Sequence, residues 1–122
     1  MDKKILVVDD SKVEGIYIKF LLDKLDKVDA TVCPGFEEAL ELAEKDKYDL
    51  IIADYYTIDG TSDMLIEDIR EKCEKNAETP VVAMGRDIDF AEENFLKNNG
   101  FINYIEKPVE FNMLKAVVAL YS

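Results

Sequence analysis

Five short strand-like apolar runs alternate with longer segments of helical periodicity along this chain of 122 residues, and that alternation admits few folds. The runs fall near residues 4–8, 29–33, 49–53, 80–84 and 101–105. The first, third and fourth are almost wholly apolar, as strands covered on both faces of a parallel sheet are. The pattern predicts one α/β domain over residues 1–122, a doubly wound five-stranded parallel sheet made of repeated βα units.

The helical segments carry their own signals. Helix one starts near Ser11, an N-cap with Glu14 in capping-box position, and places Val13, Ile16, Tyr17, Phe20, Leu21 and Leu25 on one face, expected to be core. Helix two, about 36–46, is expected to bury Phe36, Leu40 and Ala43, and helix three, about 62–75, to bury Leu65, Ile66 and Ile69. Helix four, about 88–98, offers Phe90 and Leu96 and stops at Asn99-Gly100; helix five, about 110–121, offers Leu114, Val117, Val118 and Tyr121. Pro34, Pro80 and Pro108 sit at element boundaries, where a missing N–H costs least.

The net charge is −12 and histidine is absent. Affinity for a nucleic-acid backbone rests on Lys and Arg neutralising phosphates, so no nucleic acid is expected as a partner. Without histidine, triad hydrolysis and histidine-based metal catalysis are disfavoured, and carboxylates and lysine must carry any chemistry. Cys33 and Cys73 lie far apart without metal-ligand spacing and are expected to be buried free thiols. No apolar run approaches the ~18 residues of a membrane span, and Met1-Asp2-Lys3-Lys4 leads directly into a strand rather than a secretory signal. A cytoplasmic location without membrane contact is the expectation.

Asp9 and Asp10 follow Ile5-Leu6-Val7-Val8, and Asp54 follows Leu50-Ile51-Ile52-Ala53. In an open doubly wound sheet, ligands bind beyond the carboxyl ends of the strands, and Gly85 and Lys107 fall at such ends too. At roughly 4 Å, each pair of carboxylates repels by about 1 kcal/mol at water-like dielectric and about 4 at an effective value of 20. A lone Asp after a strand is usually a turn former, but three of them with a Lys on one rim form a site. Oxygen ligands alone point to a hard cation such as Mg²⁺, and Asp54 is also a candidate nucleophile of the kind that forms aspartyl phosphates.

These residues resemble the receiver domain of two-component response regulators. The run Ile5-Leu6-Val7-Val8-Asp9-Asp10-Ser11, Asp54 ending the third strand and Lys107-Pro108 after the fifth carry the likeness, with Thr79-Pro80-Val81-Val82, Gly100 and Tyr104 in support, over essentially the whole chain. The resemblance implies a flavodoxin-like strand order of 2-1-3-4-5 and a Mg²⁺ cofactor held directly by Asp10 and Asp54, through water by Asp9, and by the Tyr56 backbone carbonyl. It implies that Asp54 accepts a phosphoryl group from a sensor histidine kinase or phosphotransfer protein, that Lys107 then pairs with it, and that the Lys107-Pro108 bond is cis. It implies no enzyme beyond self-phosphorylation and self-dephosphorylation, and output through a downstream protein or an output domain outside this chain.

The chain also departs from that family. Gly85 stands where the family has Thr or Ser, whose hydroxyl binds the phosphoryl group and couples the site to the switch; the interval from Gly85 to Lys107 matches the family's spacing. Glycine has no hydroxyl to donate. Arg86 follows, with three open readings: a grip on phosphoryl oxygens, a solvated side chain, or a pair with a neighbouring acid. Tyr104 occupies the place of the family's rotating aromatic or packs as a strand-end ring. The loop Asp54-Tyr55-Tyr56-Thr57-Ile58-Asp59-Gly60 lacks the family's Pro and is expected to take its own conformation; a bulky Tyr56 implies slow hydrolysis of the acyl phosphate. An interaction module acting without phosphorylation is the alternative. A phosphohydrolase is disfavoured, because its second Asp would stand where Tyr56 does.

Overall fold

Strands β1 (Lys3–Val8), β2 (Val28–Cys33), β3 (Leu50–Asp54), β6 (Val81–Gly85) and β7 (Asn103–Glu106) form one parallel sheet in the order β2-β1-β3-β6-β7. The computed structural model describes residues 2–86 and 93–122. A two-residue ribbon, β4 (Tyr56–Thr57) with β5 (Gly60–Thr61), is inserted after β3; with it set aside, the order is the expected 2-1-3-4-5. Helices α1 (Lys12–Leu22), α2 (Phe36–Lys45), α3 (Ser62–Lys72), α4 (Glu93–Asn98) and α5 (Phe111–Tyr121) join the strands, and a 3-10 turn spans Glu74–Asn76. Of the expected helix four, Leu96 is buried, while Phe90 lies outside the described residues.

Successive strand residues point to opposite faces, so each central strand feeds two cores. Leu6, Val8, Ile51, Ala53, Val81 and Ala83 meet Ala39 and Ala43 of α2, Leu65, Ile66 and Ile69 of α3, and Leu96 of α4. Ile5, Val7, Leu50, Ile52, Val82 and Met84 meet Ile18, Leu21 and Leu22 of α1 and Leu114, Val117 and Val118 of α5. Phe36, Leu40 and Tyr121 are only partly buried, at the edges of these cores. Cys33 and Cys73 are buried free thiols.

Helix α1 departs from expectation. Val13, Ile16, Tyr17 and Phe20 face outward, Val13 at 77% and Phe20 at 58% exposure, and the buried residues are Gly15, Ile18, Leu21 and Leu22. Both sets recur at helical spacing, and close approach to the sheet selects the second. A Cβ on Gly15 would lie 3.0 Å from Val32 Cγ1, so the side without a side chain is the side that docks.

The amino ends of the strands are held by a buried polar knot. Asn76, fully buried, accepts the Tyr48 N–H at 2.8 Å and donates to the Ala43 and Asp46 carbonyls. Arg70 spans the carbonyls of Asn76 and Thr79. At the other end of α4, the Phe101 N–H reaches the Leu96 carbonyl at 2.9 Å around Gly100, whose φ of 85° suits a helix stop. No helix among the described residues is long and apolar enough to cross a membrane.

Candidate functional site

Because all five main strands run the same way, every residue that ends one arrives at a single rim. Asp9 and Asp10 follow β1, Asp54 and Gly85 end β3 and β6, and Lys107 follows β7. The Lys107 backbone N–H donates to the Gly85 carbonyl at 2.9 Å, which lines up the two strand ends, and the Lys107-Pro108 bond is cis. The lysine side chain is thereby delivered between β1 and β3.

Its ammonium lies 3.1 Å from Asp54 Oδ1 and 3.3 Å from Asp9 Oδ2, and it also contacts Glu14 Oε2 directly. Glu14 Oε1 in turn takes Arg86 Nη2 at 3.0 Å, so of the three readings of Arg86, the pair with an acid is the one present. Glu14 is the site residue that sequence reasoning did not place. The capping box forms only by half: Ser11 Oγ accepts the Glu14 N–H at 3.3 Å, but the Glu14 carboxylate turns to Lys107 and Arg86. The Ser11 N–H goes instead to Asp9 Oδ1 at 2.9 Å. The available signal was position, since an acid in the first turn of the helix leaving β1 stands beside the strand-end acids.

Burial sets the electrostatics. Asp54 is 8% exposed, and its carboxyl is pushed up to about 6 by burial, with Lys107 opposing and the charges of Asp9 and Glu14 adding to the rise. Asp9 is raised for the same first cause, against its hydrogen bond from Ser11 and the Lys107 charge. Burial works against the charged form of Lys107, yet the Glu14 hydrogen bond and the Asp54 and Asp9 charges outweigh it and hold the ammonium above its ordinary value. Glu14 is lowered, because contacts with Lys107 and Arg86 exceed its own burial cost.

One oxygen each of Asp9, Glu14 and Asp54 lie within 4.8 Å of one another, an all-oxygen donor set of the kind hard divalent cations take. Asp10 is directed elsewhere: its Oδ2 accepts the Ile58 N–H at 2.9 Å. The loop beyond Asp54 has its own shape, turning through Gly60 at a φ of 129°. Asp59 Oδ2 accepts the Phe36 N–H at 3.0 Å and so caps α2, whose N-cap Gly35 supplies no side chain. Tyr56 is exposed in β4, its ring edge-on to the buried Tyr55 at 4.8 Å; Tyr104 lies half-buried in β7.

Beside Lys107, a largely apolar groove of about 170 Å³ runs between α1 and the β7–α5 connection, lined by Val13, Tyr17, Arg86, Pro108 and Val109. The Tyr17 hydroxyl donates to the Val109 carbonyl at 2.8 Å and pins its floor.

A family model describing the response regulator receiver domain matches residues 5–119. Among solved structures, the chain is similar to chemotaxis response regulator CheY4 of Vibrio cholerae, with 20% identity, full coverage of both chains and a TM-score of 0.88. It is similar to the receiver domain of sensor histidine kinase PA1611 of Pseudomonas aeruginosa, which holds a magnesium ion in its active-site cleft: 21% identity, 99% and 98% coverage, TM-score 0.86. The receiver domain of the response regulator Ssk1 of Saccharomyces cerevisiae, crystallised with the histidine phosphotransfer protein Ypd1, matches at 17% identity, 98% and 88% coverage and a TM-score of 0.84.

Proposed function

The chain belongs to the response regulator receiver domain family, and from that premise we propose that it accepts a phosphoryl group on Asp54 from a phosphohistidine of a kinase or phosphotransfer partner and signals by protein contact. The observation that carries the reading is the Asp54 carboxylate, buried at the end of a central strand and 3.1 Å from the Lys107 ammonium. In the transfer, an Asp54 oxygen attacks phosphorus; the O–P bond forms as the P–N bond breaks, and its electron pair stays on the donor imidazole, which takes up a proton. Lys107 balances the added charge on Asp54.

Asp10 and Asp54 would hold Mg²⁺ directly and Asp9 through water, with the Tyr56 carbonyl as the remaining family position. Bound there, the cation neutralises charge on the transferring phosphoryl oxygens. The Ile58 N–H engages only Asp10 Oδ2, which leaves the other oxygen for the cation. Asp9, itself held by the Ser11 N–H, also fixes the position of Lys107. Position 56 carries a bulky Tyr where a phosphohydrolase would have a second Asp, so hydrolysis of a phosphoryl group on Asp54 would be slow.

The partner's docking surface is supplied by α1. Val13, Ile16, Tyr17 and Phe20 form an exposed apolar strip that ends at the groove beside Lys107. That strip suits the apolar face of a phosphotransfer partner, and the Ssk1 receiver was crystallised with a histidine phosphotransfer protein, Ypd1.

One observation favours the alternative, an interaction module working without phosphorylation: Lys107 is already engaged by three carboxylates of the chain itself, and one oxygen of Asp10 by the Ile58 N–H. Incubation with Mg²⁺ and acetyl phosphate, followed by intact-mass measurement, separates the two. One added phosphate on the wild type and none on Asp54→Asn is the expected result; no adduct on either, with no response to Mg²⁺, establishes the alternative.

A further inference from the structure

An ammonium group has three N–H donors and no acceptor. Lys107 faces three carboxylates, those of Asp54, Asp9 and Glu14, so each donor is taken. The two oxygens of Glu14 are divided, Oε2 on Lys107 and Oε1 on Arg86. Arg86 is the first residue after β6, at the root of the segment that leads to α4. The result is a ladder of alternating charges, Asp54–Lys107–Glu14–Arg86, from the rim of β3 to the segment following β6. Gly85, the last residue of β6, contributes only backbone to this rim, its carbonyl taken by the Lys107 N–H.

A phosphoryl group on Asp54 adds charge and acceptor oxygens within reach of an ammonium that has no free donor. Phosphorylation converts the Asp54 carboxylate into an acyl phosphate, so the donor now on Asp54 Oδ1 can turn to one phosphoryl oxygen, and Lys107 can pair with a second only by releasing Asp9 or Glu14. Asp9 is poorly placed to yield, since its side chain is fully buried and its other oxygen is held by the Ser11 N–H. Glu14 can yield. Its side chain is 26% exposed, it sits on the first turn of α1, and it already has a second cation in Arg86, whose side chain is 70% exposed. Repulsion between Glu14 and the new anion acts in the same direction.

We propose that Glu14 is a positioning residue that holds Lys107 while Asp54 is unmodified and is surrendered wholly to Arg86 when Asp54 carries a phosphoryl group, so that the ladder transmits the state of Asp54 to the segment after β6. This rests on the reading of Asp54 as phosphoacceptor. It assigns to two charged side chains a coupling that Gly85, with no side chain, cannot provide.

The test uses the full chain with Mg²⁺ and saturating beryllium fluoride as the phosphoryl probe, read by ¹H–¹⁵N spectra that include the arginine Nε–H signals. In the wild type, the probe is expected to shift the amides of Ala53 and Tyr55, the Arg86 Nε–H and the amides of residues 93–98. In Arg86→Ala, a change at an exposed side chain, the shifts at Ala53 and Tyr55 persist and those at 93–98 are lost, whereas Arg86→Lys retains them. In Glu14→Gln, the Arg86 Nε–H no longer responds. A full-sized response at 93–98 in Arg86→Ala, or an Arg86 response unchanged in Glu14→Gln, overturns the ladder. A wild type with no shift at Ala53 or Tyr55 overturns the phosphoacceptor reading instead, and the ladder with it.

Discussion

Asp54 bears the largest conflict between charge and surroundings on the site rim. Its carboxyl stands at about 6 in the folded chain against an ordinary 3.8, so between those values the folded state binds the proton that the unfolded state has lost. A group raised in this way supports the fold fully below about pH 4 and ceases to do so as pH rises through 6. Above that, the folded protein carries an ionised, buried Asp54, a cost on the order of 3 kcal/mol at 1.36 kcal/mol per unit. Asp54→Asn removes it. In urea titrations without divalent cation, this variant is expected to be more stable than the wild type at pH 7.5 and to lose that advantage as pH falls toward 4. Equal stabilities at pH 7.5 would show that Lys107 already cancels the burial cost.

Helix α1 serves two surfaces. Its inner side, Gly15, Ile18, Leu21 and Leu22, lies against β2 and α5, while its outer side leaves Ile16 and Phe20 in solvent at 62% and 58% exposure. Changing the outer side removes no packed contact of the core. The double variant Ile16→Lys, Phe20→Lys is therefore expected to keep its unfolding free energy within about 0.5 kcal/mol of the wild type. Phosphoryl transfer from a phosphorylated phosphotransfer protein is expected to slow by about tenfold or more, the scale of one lost interface anchor. Labelling by acetyl phosphate, which needs no docking surface, stays unchanged. Equal loss with both donors would place the defect in the site rather than in docking.

At the scale of the whole molecule, the parallel sheet separates stability from chemistry. The carboxyl ends of the strands gather charge around Lys107, and the amino ends are tied by Asn76 to Tyr48, Ala43 and Asp46. Asn76→Ala strands a buried Tyr48 N–H and two carbonyls, at about 1–3 kcal/mol for each group left unpaired. Chemical denaturation is expected to show a loss of several kcal/mol on that basis, while phosphate uptake in the mass assay remains stoichiometric under conditions where the variant is folded. A folded variant that takes up no phosphate would show that the two rims are coupled. The sequence by itself determined the βα alternation, the parallel sheet and the arrival of Asp9, Asp54, Gly85 and Lys107 at one rim, because strand periodicity and strand ends are local properties and one parallel direction converts them into a shared edge. Tertiary structure alone decided which of two apolar stripes of α1 is buried, since both have helical spacing and only the contact of Gly15 with Val32 distinguishes them. It alone joined Glu14 to Lys107 and Arg86, partners 93 and 72 residues away, because a place in the first turn of α1 puts the acid near the rim but does not say which cations from other strand ends it meets.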